Sequence, residues 1–277
     1  MPKSFQTLAY VLAVLAVLAF LLSWKFFLSS DEVKNSPDYQ ARLSTTAANV
    51  LAPAETPQDE LRIYAVNVVR KVPFKEPFVG YGIYVGQGTV LTAAHVIGRW
   101  PSYTLLRVII AGQDLPAKVI RYTSPDDVDL ALISVDAERL PISLRLRRNP
   151  LCKGPTPIGA NVVVAYPEKS VRSQIISPLL VAPQFRSKFG TLITDAQGSG
   201  SGVFRADRKC LLGIMSRRVL KYGYRNEGPF KVARPNGWAG YFVPVSALAK
   251  LQSSSPDPDE HPPVGIVLPK RNRLEQN

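Results

Sequence analysis

From Thr7 to Trp24 the chain reads TLAYVLAVLAVLAFLLSW without a charge, close to the length a helix needs to cross a bilayer core. No polar face interrupts the run, so it reads as a membrane span rather than as a helix lying on a protein surface. Lys3 in front of it also fits a cleavable secretory signal. No small-x-small site closes the run, however, and Trp24, Lys25, Phe26, Phe27 and Leu28 follow instead. The pattern predicts an uncleaved signal anchor over residues 1–28. The short positive tail in front of it stays in the cytoplasm, and the rest of the chain is exported to the periplasm or the cell exterior.

Residues 29–58 change character: Ser, Ala, Thr, Pro and Asp dominate with no sustained hydrophobic period, which reads as a flexible tether. Short apolar, β-branched and aromatic runs then recur between turn residues. The first six are Leu61 to Val69, Gly80 to Val85, Thr89 to Leu91, Thr104 to Ile110, Ala117 to Tyr122 and Leu130 to Val135. The second six are Asn161 to Ala165, Gln174 to Val181, Thr191 to Thr194, Val203 to Arg205, Cys210 to Met215 and Gly240 to Val243. A dozen short strands at this spacing predict an all-β sandwich or barrel pair. Val245 to Leu251 reads as a short closing helix, so the folded domain is expected over residues 59–252. Residues 253–277, opening SSSPDPDEHPPVG and turning basic, read as a disordered tail.

Composition agrees with strands and turns: the 277 residues include 24 prolines and 18 glycines. The net charge of +13 invites an anionic partner. Its densest clusters are Arg145, Arg147 and Arg148, then Arg217, Arg218, Lys221 and Arg225, then Lys270, Arg271 and Arg273. None forms a nucleic-acid motif and aromatic residues are not interleaved with them throughout, so the ordinary reading is a solvated basic surface with no nucleic-acid partner. With two cysteines and two histidines, one of the latter in the tail, a zinc site of Cys and His ligands is not expected. Cys152 and Cys210 are either one bridge or two buried thiols.

The single histidine of the domain lies in GTVLTAAHVIG. Small residues before an imidazole let it approach neighbouring backbone closely, which suits a general base and equally a structural histidine. The segment GYGIYVGQGTVLTAAHVI resembles the histidine block of trypsin-like serine proteases, including their bacterial branch. In that family an aspartate opens a hydrophobic strand, and Asp129 in DDVDLALISV matches it, while Asp126 and Asp127 sit in a turn-like stretch. A third block, TDAQGSGSGVF followed by RADRKCLLGIMS, is similar to the nucleophile region. The order His, Asp, Ser is that of this fold, whereas other triad folds order the groups differently.

The resemblance covers roughly Leu61 to Leu251 and implies two six-stranded antiparallel β-barrels with a short C-terminal helix. It implies a serine endopeptidase with His95, Asp129 and Ser199 as its triad, a protein or peptide substrate and no cofactor or metal. Ser199 is chosen over Ser201 because the apolar strand then begins four residues on, at Val203. Gln197 stands where the family has glycine, and the N–H groups of Gln197 and Ser199 are the expected oxyanion donors. Asp195, Ser216 and Arg217 resemble lining of the primary substrate pocket. In the same alignment Cys152 and Cys210 are neighbours, and an exported domain would oxidise them. The chain after Leu251 is too short for the peptide-binding module that many bacterial relatives append. A catalytically weak relative that binds peptides through the same cleft is the alternative.

Overall fold

The computed structural model describes residues 36–51, 56, 58–72, 75–98, 104–194, 196–227 and 230–253, together with Leu15, Val17 and Leu18. The expected membrane span therefore lies outside the described residues except for those three, which are helical. Among the described residues no helix is long and apolar enough to cross a membrane. The expected tail lies outside them beyond Ser253.

The fold is all-β. Strands β1 (Ala65–Lys71), β2 (Phe78–Gly86), β3 (Thr89–Thr92), β4 (Leu105–Ile110), β5 (Gln113–Tyr122) and β6 (Ala131–Val135) close a barrel in the order β1-β2-β3-β6-β5-β4. Strands β7 (Asn161–Ala165), β8 (Ser170–Ile176), β9 (Leu192–Thr194), β10 (Gly202–Arg205), β11 (Leu211–Glu227) and β12 (Phe230–Pro244) close a second one in the order β10-β11-β12-β9-β8-β7. Closure leaves neither sheet an unpaired edge along its barrel staves. Helices α1 (Pro37–Leu51), α2 (Ala94–Ile97), α3 (Ile142–Arg145) and α4 (Leu248–Ser253) decorate this frame.

Strand alternation builds the core. In β6 Ala131, Ile133 and Val135 are buried while Leu132 and Ser134 are less so, the period-two signature of a half-covered sheet. The largest apolar cluster fills the first barrel with Val66, Val68, Ile83, Leu91, Val108 and Ile133. It continues through Val163, Phe204, Leu211 and Ile214 of the second, so the barrels share a seam. Leu251 on α4 closes that seam at 2% exposure.

β1 departs from alternation, with Ala65, Val66, Asn67, Val68 and Val69 all buried. The cover for its outer face is α1, in the segment that composition assigned to the tether. Tyr39 packs against Val69 and Ile109, with Leu43 beside them. Buried Asn67 is satisfied by Arg42 Nη1, which donates to its Oδ1 at 3.0 Å. Thr46 Oγ1 accepts from the N–H of Gly112 at 3.0 Å. A Cβ on Gly112, whose φ is +75°, would stand 2.6 Å from the Ala47 methyl. At the far end of α1, Asn49 Nδ2 donates to the Pro167 carbonyl of the second barrel at 2.7 Å. Residues 37–51 are thus a docked strap rather than a free spacer.

Other boundaries differ from the sequence reading for local reasons. Leu61 to Tyr64 belong to a 3-10 turn, Asp59–Tyr64, that buries Leu61 and Ile63 before β1 begins. β8 ends at Ile176 because Pro178 has no N–H for a ladder. A 3-10 turn, Pro178–Leu180, follows, with Ser177 as its cap accepting from Leu179 N. β11 and β12 run far beyond the expected Met215 and Gly240, through a stretch too charged to show an apolar period.

Cys152 and Cys210 form the expected disulfide, with Cα atoms 5.0 Å apart. It fastens the connection between barrels to the start of β11, beside the hydrogen bond from Cys152 N to Leu211 O at 2.9 Å. The bridge spans 58 residues, and a loop of that length restricts the unfolded chain by about 4 kcal/mol. Replacing both cysteines by serine is expected to lower the thermal midpoint by roughly ten degrees. Melting curves of the parent with and without reductant check the same quantity.

Candidate active site

His95 sits one residue into α2, directly after β3. Ala93 and Ala94 are fully buried there, and their small side chains let the turn press into the first barrel. Asp129 follows a tight turn in which its N–H donates to Ser124 O at 3.1 Å. Its φ of +56° is a left-handed conformation that aspartate tolerates better than most residues. The result is a carboxylate 1% exposed and aimed at the imidazole.

Asp129 Oδ1 accepts from the His95 backbone N–H at 2.9 Å. His95 Nδ1 lies 3.1 Å from Oδ1 and 2.9 Å from Oδ2, and Oδ2 also accepts from Ser216 Oγ. Burial alone pushes this carboxyl's pKa up. The hydrogen bonds from His95 and Ser216, with the His95 charge, outweigh it and hold Asp129 below its ordinary value. An ionised carboxylate at Nδ1 fixes the proton there and leaves Nε2 as an acceptor.

Ser199 lies between two glycines in left-handed conformations, Gly198 at φ +99° and Gly200 at φ +91°. Its carbonyl accepts from Tyr81 N on β2 at 2.9 Å, and Gly200 N donates to Met215 O on β11 at 2.8 Å. The loop is therefore clamped between the two barrels. A Cβ on Gly200 would fall 1.8 Å from the Tyr81 carbonyl oxygen. That same oxygen accepts from Thr92 Oγ1 at 2.6 Å, so it is not free to retreat.

The Ser199 hydroxyl donates to the Ser216 carbonyl at 3.2 Å rather than to the imidazole. Ser216 thus joins two of the three, with its hydroxyl on Asp129 and its carbonyl on Ser199. Ser201 is fully buried and its Oγ donates to Gly198 O at 2.7 Å, so its hydroxyl is part of the turn. Asp126 and Asp127 are exposed, in the turn that precedes Asp129.

Gln197 is exposed, and its carbonyl accepts from the Tyr166 hydroxyl. Tyr166 meets Tyr81 edge-on with ring centroids 5.3 Å apart. A Cβ on Gly198 would lie 2.5 Å from the Tyr166 ring. Tyr81 in turn donates to Glu168 Oε1 at 2.9 Å, and burial with that carboxylate pushes its pKa up to about 12. These tyrosines support the serine loop from below. The sequence carried no periodic sign of them, because Tyr81 stands on β2 and Tyr166 in the turn just past β7, far apart along the chain.

The residues expected to line a pocket divide differently. Asp195 lies outside the described residues. Ser216 is 1% exposed and turned to Asp129. Arg217 is nearer the carboxylate than expected: its Nη2 stands 3.7 Å from Asp129 Oδ2, its Nε donates to Ser216 Oγ at 3.3 Å, and Nη2 also donates to Pro125 O. Among the described residues no group of three His, Cys, Asp or Glu stands together as a metal site would.

The three candidate residues and the clamped serine loop lie within one matched stretch. Residues 80–214 match the trypsin-like peptidase domain. The matched stretch runs from β2 to β11 and holds His95, Asp129 and Ser199, which supports a serine-protease-type function. Solved structures similar to it include the active form of the Rv3671c protease from M. tuberculosis. That pair is 18% identical with a TM-score of 0.49, over 72% of this chain and 84% of that one. Kallikrein-related peptidase 10 is 16% identical with a TM-score of 0.42, over 69% of this chain and 94% of that one. A human pathogenic astrovirus serine protease is 20% identical with a TM-score of 0.38, over 67% and 92%. No curated protein matches the chain in sequence.

Proposed function

We propose that the protein is a serine endopeptidase in which Ser199 attacks the peptide carbonyl, His95 takes its proton and Asp129 orients His95. The observation that carries this reading is the double contact of His95 Nδ1 with a buried carboxylate, 2.9 and 3.1 Å. A buried carboxylate beside one ring nitrogen stabilises the imidazolium that forms when the other nitrogen accepts a proton. Rotation of Ser199 about its Cα–Cβ bond re-aims the hydroxyl from Ser216 O towards Nε2 as substrate enters. The N–H groups of Gln197 and Ser199 then receive the oxyanion. Collapse of the tetrahedral intermediate expels the amine, which takes the proton from His95, and leaves an acyl-Ser199. Water, deprotonated by His95, releases the acid.

The bridge between Cys152 and Cys210 favours an oxidising compartment. With the uncharged run from Thr7 to Trp24, the proposed arrangement is a domain exported and held at the membrane by residues 1–28.

A second reading draws on two observations, the Ser199 hydroxyl on Ser216 O and Gln197 in the place of a glycine. It makes the domain a peptide-binding module with little or no turnover. A fluorophosphonate probe decides between them. The protease reading expects a covalent adduct that peptide mass mapping assigns to Ser199. A folded sample with no adduct on either serine overturns it in favour of the binding module.

A further inference from the structure

Successive carbonyls of the serine loop are each received by a donor. Ser199 O accepts from Tyr81 N at 2.9 Å, Gly198 O from Ser201 N at 3.2 Å and Ser201 Oγ at 2.7 Å, and Gln197 O from the Tyr166 hydroxyl. In a planar trans peptide the N–H points opposite to the carbonyl. Holding Gly198 O therefore aims the Ser199 N–H, one donor of the proposed oxyanion site, away from the Ser201 turn. The other proposed donor is the N–H of Gln197, the residue whose carbonyl Tyr166 holds. Its neighbour Gly198 has no side chain and a φ of +99°, so the backbone there turns freely unless a group outside the loop stops it. The Tyr166 hydroxyl is that stop.

Tyr166 is itself closely placed. It is 5% exposed, its backbone N–H donates to Lys169 O at 2.9 Å across the turn after β7, and the Lys169 ammonium stands 5.9 Å from the centre of its ring. The next residue ties this turn to the N-terminal segment. Pro167 O accepts from Asn49 Nδ2 on α1 at 2.7 Å, and from Arg62 Nε and Nη2, in the 3-10 turn before β1, at 3.3 and 3.2 Å. Close by, Ser170 Oγ donates to Gln58 O and Arg172 Nε to Gln58 Oε1, both at 3.1 Å. Adjacent residues of one turn thus reach in two directions, Tyr166 to the serine loop and Pro167 to α1. An O–H···O bond is lost within about an ångström of stretch, so a shift of the Pro167 peptide would release Gln197.

We propose that Tyr166 is a positioning residue for the oxyanion site, acting through the Gln197 carbonyl, and that Asn49 and Arg62 hold it in place through the carbonyl of Pro167. The proposal rests on the protease reading and deepens it. It gives α1 a part in turnover as well as in covering β1.

The test uses the full chain in detergent and the hydrolysis of p-nitrophenyl acetate. Tyr166→Phe keeps the ring against Gly198 and Tyr81 and removes only the hydroxyl. It is expected to lower kcat about tenfold, less than the loss of about a hundredfold or more that follows removal of a donor itself. KM is expected to stay within about twofold, because the hydroxyl acts on the oxyanion and not on the bound ester. The pH midpoint of kcat is expected not to move, since His95 and Asp129 are untouched. Tyr81→Phe, which removes the neighbouring hydroxyl from Glu168, is expected to stay within about twofold of the parent in kcat. The pair Asn49→Ala, Arg62→Gln is expected to lower kcat about threefold or more through misplacement of the loop, and it carries the test alone if Tyr166→Phe does not melt cooperatively. Parent kcat in Tyr166→Phe, an equal loss in Tyr81→Phe, or a moved pH midpoint overturns the role of Tyr166 and leaves the protease reading standing. Parent kcat in the Asn49, Arg62 pair overturns the hold from α1. A parent chain that takes no fluorophosphonate on Ser199 overturns the protease reading and this proposal with it.

Discussion

Replacing Asp129 by asparagine is expected to lower kcat by roughly ten-thousandfold without unfolding the domain. The asparagine side chain has the volume of the aspartate and accepts hydrogen bonds through one oxygen. Its NH2 group, however, donates where the carboxylate accepted, and three donors converge here: His95 N, His95 Nδ1 and the Ser216 hydroxyl. The amide favours the imidazole tautomer with its proton on Nε2, which cannot take a proton from Ser199. It also withdraws the negative charge that stabilises the imidazolium. Single-turnover hydrolysis of an activated ester checks the loss. A variant within tenfold of the parent would remove Asp129 from the mechanism.

The same substitution changes acid stability, with a sign fixed by the direction of the shift. Asp129 titrates below its ordinary value in the folded chain. Its contribution to stability is therefore fully present above the unfolded value, near pH 4, and fades as pH falls through the lowered folded value. Denaturation midpoints of parent and Asp129→Asn are expected to differ most above about pH 5 and to converge in stronger acid.

The second large effect is structural. Gly200→Ala is expected to cost more than about 4 kcal/mol and to leave little soluble, cooperatively melting protein. The added carbon would occupy a point 1.8 Å from Tyr81 O, at φ +91°. Neither wall can yield, because Tyr81 belongs to β2 and Met215 to β11, whose carbonyl holds the Gly200 N–H. Gly154→Ala is the control. Its φ is +78° with nothing within 4 Å of the added carbon, so it isolates the backbone cost of about 1–2 kcal/mol. Equal melting temperatures for the two variants would refute the clamp.

Much of this architecture was readable because its periods are local. Each barrel strand announced itself as a short apolar run between turn residues, and His95 and Asp129 stand where such runs begin or end. What escaped has weak or non-local signals. The buried face of α1 is Tyr39, Leu43, Thr46, Ala47 and Val50, a helical spacing written partly in small and polar residues. Its partners lie far along the chain, at Asn67, Gly112 and Pro167. The outer reach of β11 and β12 escaped because it is rich in charge and its pairing is interrupted by bulges near Ser216 and Lys221. Ser216 was noticed for the wrong wall. Its sequence neighbours place it beside the cleft, but which of its groups meets Asp129 follows only from the direction of β11.

If the chain is the serine endopeptidase proposed above, the clamp on the serine loop ties that activity to the finished fold. The Ser199 carbonyl is received by a strand of the first barrel, and the next residue's N–H by a strand of the second. While either half is still forming, one side of the clamp on the Ser199 loop is missing. On the proposed protease reading, activity is an all-or-none product of completed folding, withheld until both halves have closed.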